Sequence, residues 1–301
     1  MGIKFHFNFV RKRKIYYAIS GTLILISLLS IFLFGIKTSI EFRGGSILEI
    51  KYSQETPSSQ EIRDSLAEIG IKDAIVQTTN QSTAIIRMKD IDETTHQKIL
   101  SKLGEGRKIE ELRFESIGPV IGRELKKKTE YLILLSIISI IIYITFAFRR
   151  VMRPVKSWQY GVAGVLALFH DVFIPVGIFS ILGKFYNVEI TIPIITALLT
   201  VFGYSINDSV VVFDRIRENL IRRRYDNFEE TVNESLNQTL SRSINTSLTT
   251  LLVLFAIFFF GGETLRYFAL ALILGISLGT YSSIFIASPL LVTWWMKKNR
   301  T

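Results

Sequence analysis

Ile190-Thr191-Ile192-Pro193-Ile194-Ile195-Thr196-Ala197-Leu198-Leu199-Thr200-Val201-Phe202-Gly203-Tyr204-Ser205-Ile206-Asn207-Asp208-Ser209-Val210-Val211-Val212-Phe213 holds a single charged residue, Asp208. A bilayer core about 30 Å thick is crossed by ~20 apolar residues rising ~1.5 Å each, so this stretch is long enough to span it. Five more segments of the 301-residue chain share this character: 15–36, 131–148, 158–182, 244–260 and 267–295. Residues 244–260 are short for a span unless the helix starts earlier, and Pro289 invites a kink in the last one. Residues 15–36 follow a basic stretch as a signal peptide would. Their apolar run is too long for one, however, and Gly35-Ile36-Lys37 is no cleavage site. The chain reads as a polytopic α-helical membrane protein with six transmembrane helices.

The charge of +10 arises from 36 Lys and Arg against 26 Asp and Glu, and its distribution decides its meaning. Basic residues in the N-terminal tail (1–14), in the loops after spans two and four, and in the C-terminal tail (296–301) number 18, against 2 in the loops of opposite parity, Lys184 and Arg266. The positive-inside rule then places both termini in the cytoplasm of a multi-pass inner-membrane protein. The charge is a topology signal, and no nucleic-acid motif accompanies it. Residues 214–240, behind span four, read as a cytoplasmic amphipathic segment, with Asp214, Arg215, Arg217 and Glu218 as an interfacial helix or a docking surface.

Residues 37–129 are polar and fall outside the membrane. Strands at 46–53, 74–79, 83–89 and 108–117 alternate with helices at 58–69 and 94–103. Ser58 with Glu61 forms a capping-box spacing and Gly104 closes the second helix. The order β-α-β-β-α-β predicts a small extracytoplasmic α+β domain of ferredoxin-like type.

The absence of cysteine excludes disulfides, thiolate metal sites and cysteine nucleophiles. No phosphate-binding glycine loop is present, so the chain has no visible ATP site. Intramembrane ionisable residues are therefore the informative ones, because a charge at mid-bilayer costs ~2.5–3.5 kcal/mol or more. Asp208 lies about 8 Å inside the inner end of span four. It shares a helical stripe with Thr200, Gly203, Tyr204 and Asn207, and span five opens with a second stripe of Arg242, Asn245, Thr246 and Thr249. Asp208 and Arg242 fall at compatible depths for a pair. Two readings fit: a proton relay supported by Asn207, Asn245 and Thr246, or a fixed hydrogen-bonded anchor beside a snorkelling arginine. His170 and Asp171, near the middle of span three, point ~100° apart, which disfavours a shared metal; one of them faces the bundle interior. Gly203-Tyr204-Ser205 with His170 has the look of an intramembrane serine protease, but a motif this short carries little and leaves Asp208 without a purpose. Gly275 and Gly279 form a small-xxx-small packing surface, and Gly203 is a further packing position.

The stretch from Leu198 to Asn219 resembles the signature of the SecF family of export-membrane proteins. Glu41-Phe42-Arg43-Gly44-Gly45, Gly118-Pro119-Val120-Ile121-Gly122, His170-Asp171 and Arg242-Ser243-Ile244-Asn245-Thr246-Ser247 extend the resemblance to nearly the whole chain. It implies six spans, an outer domain after the first, and membership of the resistance-nodulation-division superfamily. It also implies association with SecD, the SecYEG channel and SecA, with YajC a further candidate. The activity it implies is proton-driven pulling of unfolded preproteins, without enzymatic chemistry, cofactor or metal, and the family's relay aspartate and arginine fall on Asp208 and Arg242. Glu41 departs from the family's usual Gly-x-Asp-Phe. A scaffold for the channel and a half-size exporter of small molecules are the competing functions. The coupling ion is H⁺ by resemblance, with Na⁺ open.

Overall fold

The structure, a computed structural model, describes residues 7–53, 56–78, 82–148, 154–222 and 227–298. Lys4, Arg149, Arg150, Arg153, Arg223, Arg224 and Arg300, all counted in the topology reading, lie outside the described residues. The chain divides into two units, Met1–Lys37 with Leu132–Thr301, and Thr38–Tyr131.

Thr38–Tyr131 contains α2 (Ile40–Arg43), β1 (Gly45–Tyr52), α3 (Ser59–Glu68), β2 (Ile75–Thr78), β3 (Thr83–Met88), α4 (Glu93–Leu103) and β4 (Ile109–Ile117). The sheet is antiparallel throughout in the order β2-β3-β1-β4. Alternation builds its core. Leu48 and Ile50 of β1 and Ala84 and Ile86 of β3 point to one face and are fully buried with Ile62 and Leu66 of α3 and Ile99 of α4. Ser58 caps α3, its hydroxyl accepting from the Glu61 N–H at 3.2 Å. Asp92 caps α4 by accepting from the Thr95 N–H at 3.0 Å and the Thr94 hydroxyl at 2.7 Å, so the helix starts one residue before the sequence suggests.

The same bonds favour the charged Asp92 carboxylate and hold its pKa at about 2, below its ordinary 3.8. A depressed pKa stabilises the fold above the ordinary value, and the contribution disappears as pH falls through the folded one. The expected result is a stability gap between wild type and Asp92→Ala that is constant above about pH 5 and closes between about pH 4 and 2. Urea unfolding of the full chain across pH reads it directly.

Six helices among the described residues are long and apolar enough to cross a membrane: Val10–Phe34, Pro119–Ala147, Ser157–Tyr186, Ile192–Ile221, Phe228–Phe260 and Leu265–Lys298. They comprise α1 (Arg13–Phe34), α5 (Pro119–Ala147), α6 (Ser157–Tyr186), α7 (Ile192–Ile221), α8 (Phe228–Phe260), and α9 (Glu263–Ser282) running through a π-helical turn (Ser283–Ala287) into α10 (Ser288–Lys298). α6, α7 and the last span, Leu265–Lys298, are the inner helices, with half or slightly more of their apolar windows buried. The described residues of the 214–240 segment are not a separate interfacial helix: 214–221 are the end of α7 and 228–240 the start of α8, held by Asn219 Nδ2 donating to Ser235 Oγ (2.9 Å) and by buried Ile216, Val232 and Leu236. Span five is therefore not short, because its helix begins at Phe228. Residues 7–10 lie across α8: Asn233 Oδ1 accepts from the Phe9 N–H at 2.9 Å, and Asn237 Oδ1 from the Phe7 N–H at 2.8 Å.

The π turn has a local cause. Pro289 has no N–H for the i−4 carbonyl of Phe285, and its ring would press on that carbonyl in a regular helix. One widened turn before Ser288-Pro289 relieves both problems, and Ser288 Oγ donates to the Ser283 carbonyl at 3.1 Å.

Candidate functional site

Two carboxylates are buried in the bundle, Asp171 of α6 at 0% exposure and Asp208 of α7 at 8%. Asp171 Oδ2 accepts from Ser205 Oγ of α7 (2.5 Å) and from Ser282 Oγ of α9 (2.6 Å). Its Oδ1 stands 2.8 Å from Nδ1 of His170. Asp208 Oδ1 accepts from Ser243 Oγ of α8, and its Oδ2 from Ser283 Oγ at the start of the π turn, both at 2.6 Å. Two consecutive serines on the last span thus reach one carboxylate each. Close helix approach makes this possible. A β-carbon at Gly275 would collide with Val201 of α7, and one at Gly279 would lie 3.1 Å from the Ser205 Cβ and 3.6 Å from Asp171 Oδ2.

The sequence pairs Asp208 with Arg242, and the structure does not. Arg242 is exposed and has no ion pair among the described residues; neither Asp171 nor Asp208 has a Lys or Arg partner there. Arg242 instead lines a cavity of about 380 Å³ with Asp214, Arg215, Arg217, Glu218, Gln238 and Thr239. In that charged cluster Arg215 pairs with Glu218 at 2.6 Å and Arg217 with Asp214 at 3.5 Å. Helix geometry explains the correction. Asp208 lies at the edge of its stripe, ~100° round from Asn207, so it turns inward while Thr200, Gly203 and Asn207 face out. On α8 the inward line is Ser243 and Ser247, one residue on from Arg242 and Thr246, and Arg242, Asn245, Thr246 and Thr249 are exposed. Gly203, expected as a packing position, has open space where a β-carbon would stand.

His170 and Asp171 both face inward, at 1% and 0% exposure, because α6 is enclosed by α1, α7 and α9. The His170 ring stacks on Tyr281 at 5.9 Å, and its Nε2 is buried without a hydrogen-bond partner. Ser205, the protease candidate, spends its hydroxyl on Asp171 and not on His170. The helical stripes do not single out Ser243, Ser282 or Ser283, although the sequence carries a signal for them: Ser243 follows Arg242, and Ser282-Ser283 is a polar pair inside an apolar span just before Ser288-Pro289. No group of three metal-ligating side chains occurs among the described residues.

The glycine motif of the Thr38–Tyr131 unit is built from close backbone contacts. Gly44 and Gly45 adopt φ of +79° and +135°, and β-carbons there would lie 2.7 Å from the Pro119 Cα and the Met88 carbonyl oxygen. Gly118 has only Asp90 Oδ2 at 3.7 Å from such an atom. Glu41 accepts from Ser39 Oγ at 2.7 Å, closing the single turn of α2.

Residues 95–297 match the family described as protein export membrane protein SecD/SecF, C-terminal. A protein translocase subunit SecF from Thermobaculum terrenum is 42% identical over 303 residues, covering 95% of this chain and 93% of the relative. A protein translocase subunit SecDF from Thermus thermophilus is 39% identical over 98% of this chain, which spans 39% of that longer protein. The crystal structure of SecDF from Thermus thermophilus, a translocon-associated membrane protein, superposes with a TM-score of 0.85 at 38% identity over 100% of this chain and 40% of its own. With a family match over most of its length and a SecF relative aligned nearly end to end, the chain belongs to the SecD/SecF family of protein-export membrane proteins, as a SecF-type translocase subunit.

Proposed function

We propose that the chain, assembled with a SecD-type partner, uses the proton gradient across the inner membrane to complete preprotein translocation started by SecA through SecYEG. The observation that carries this is a membrane-buried Asp208 held by two serine hydroxyls, with no Lys or Arg partner among the described residues. An ionised carboxylate there costs ~2.5–3.5 kcal/mol, and moving one charge through 100 mV supplies ~2.3 kcal/mol. The two are of similar size, so proton binding can bias the bundle between two arrangements. Serine suits the task because its hydroxyl donates to the charged acid and accepts from the protonated one.

The partner follows from the exposed side. Thr200 and Asn207 of α7 and Arg242, Asn245, Thr246 and Thr249 of α8 lie on helix faces that otherwise meet lipid. Polar groups bare to hydrocarbon are costly, so this face is the one a second membrane protein covers. A relative that joins SecD and SecF in one chain supports the pairing. The scaffold alternative has one observation in its favour: each carboxylate is fully hydrogen-bonded, as a fixed anchor would be. Inverted vesicles holding this chain, its SecD and the channel separate the two. Export is arrested after ATP-driven insertion, and completion is followed with and without an uncoupler. Gradient-dependent completion is expected; completion indifferent to the uncoupler would leave the scaffold.

A further inference from the structure

Asp171 is buried more deeply than Asp208 and comes with a histidine whose Nε2 has no partner. The groups facing this pair are few. α7 supplies Ser205 and α9 supplies Ser282 and Tyr281. α1 contributes Ser20, donating to the Tyr281 hydroxyl at 3.4 Å, and the Tyr16 carbonyl, which accepts from that hydroxyl at 3.3 Å. None of these is a fixed cation. The helix is also loosened at this point, because Pro175 has no N–H for the Asp171 carbonyl four residues before it.

Ser282 and Ser283 connect the two acids. Each hydroxyl has one proton and two acceptors within reach. Ser282 Oγ lies 2.6 Å from Asp171 Oδ2 and 3.2 Å from the Gly279 carbonyl; Ser283 Oγ lies 2.6 Å from Asp208 Oδ2 and 3.0 Å from the Thr280 carbonyl. While an acid is ionised, its serine donates to it. When a proton arrives on that carboxylate oxygen, the new O–H donates to the serine oxygen, and the serine proton turns to the backbone carbonyl. The serine keeps its own proton, and the acid gains one. Both switches act on carbonyls of the last turn of α9, where it runs into the π segment.

We infer that His170–Asp171 is a second proton-accepting site and that its occupancy is linked to that of Asp208 through Ser282 and Ser283. The inference rests on the proposed relay at Asp208 and extends it to a coupled pair of acids.

Infrared difference spectroscopy of the full chain reconstituted with its SecD tests this. Carboxyl bands that appear on acidification are assigned by their loss in Asp171→Asn and Asp208→Asn. One band should vanish in each variant. In Asp171→Asn, removing the neighbouring negative charge should lower the proton affinity of Asp208 about tenfold. Ser282→Ala, which deletes one hydroxyl and leaves both acids in place, should move both bands. Absence of any band attributable to Asp171, or an Asp208 titration identical to wild type in Asp171→Asn and Ser282→Ala, would overturn the linkage. The readout is independent of transport. Linked bands in a protein whose export ignores the gradient would sink the proposed function alone; unlinked bands with gradient-driven export would sink this inference alone.

Discussion

Asp208→Asn should complete no gradient-driven translocation while still inserting and assembling. The substitution is close to isosteric, so the surroundings can accommodate it. An asparagine carbonyl oxygen accepts from one serine, and its amide donates to the other, whose hydroxyl then needs a new acceptor. Ser283 has one at 3.0 Å, the Thr280 carbonyl, so no buried group is left unpaired. What the variant cannot do is bind and release a proton. In vesicles arrested after insertion, the gradient-dependent phase should fall to the level of wild type with uncoupler, a complete loss. A variant that finishes translocation at the wild-type rate would show Asp208 to be structural.

Gly177→Val should be the most damaging single change in the membrane bundle. α1 meets α6 along a seam of small residues, Ser27 and Ser30 against Gly177 and Ser180. Ser30 Oγ donates to the Gly177 carbonyl at 2.9 Å, and Ser180 Oγ to the Ser30 carbonyl at 3.0 Å. A β-carbon at position 177 would stand 2.6 Å from the Ser27 Cα. Backbone cannot swing aside as a side-chain tip can, so the helices must part and lose these buried hydrogen bonds. Overpacking costs about 1–3 kcal/mol, and broken bonds that leave buried groups unpaired cost about 1–3 kcal/mol each. Thermal unfolding of the purified protein in detergent should show a midpoint many degrees below wild type, with Gly177→Ala between the two. A wild-type midpoint for the valine variant would mean that α1 is not docked as described.

The difference between these two residues marks the boundary between sequence and tertiary structure. Asp208 is conspicuous in sequence because a charge in an apolar span is improbable without a function. Gly177 is one glycine among several in the spans, and nothing local distinguishes it from Gly203, which packs against nothing. The α+β domain was legible for the reason that Asp208 was: strand alternation, capping residues and glycine stops are near-neighbour properties. The strand order needed the fold, because pairing joins residues far apart in the chain.

The site divides in the same way. Hydropathy and helical period alone determined the six spans and placed Asp171 and Asp208 within them. Which hydroxyls meet those acids depends on the rotation and approach of four helices, and a turn of ~100° exchanges Arg242 for Ser243 as the residue facing Asp208. Period identifies a stripe but not which of its edges the neighbouring helix covers. Packing at Gly275 and Gly279 brings the last span against α7, and the ~100° between neighbouring helix residues presents Ser282 and Ser283 to two different acids.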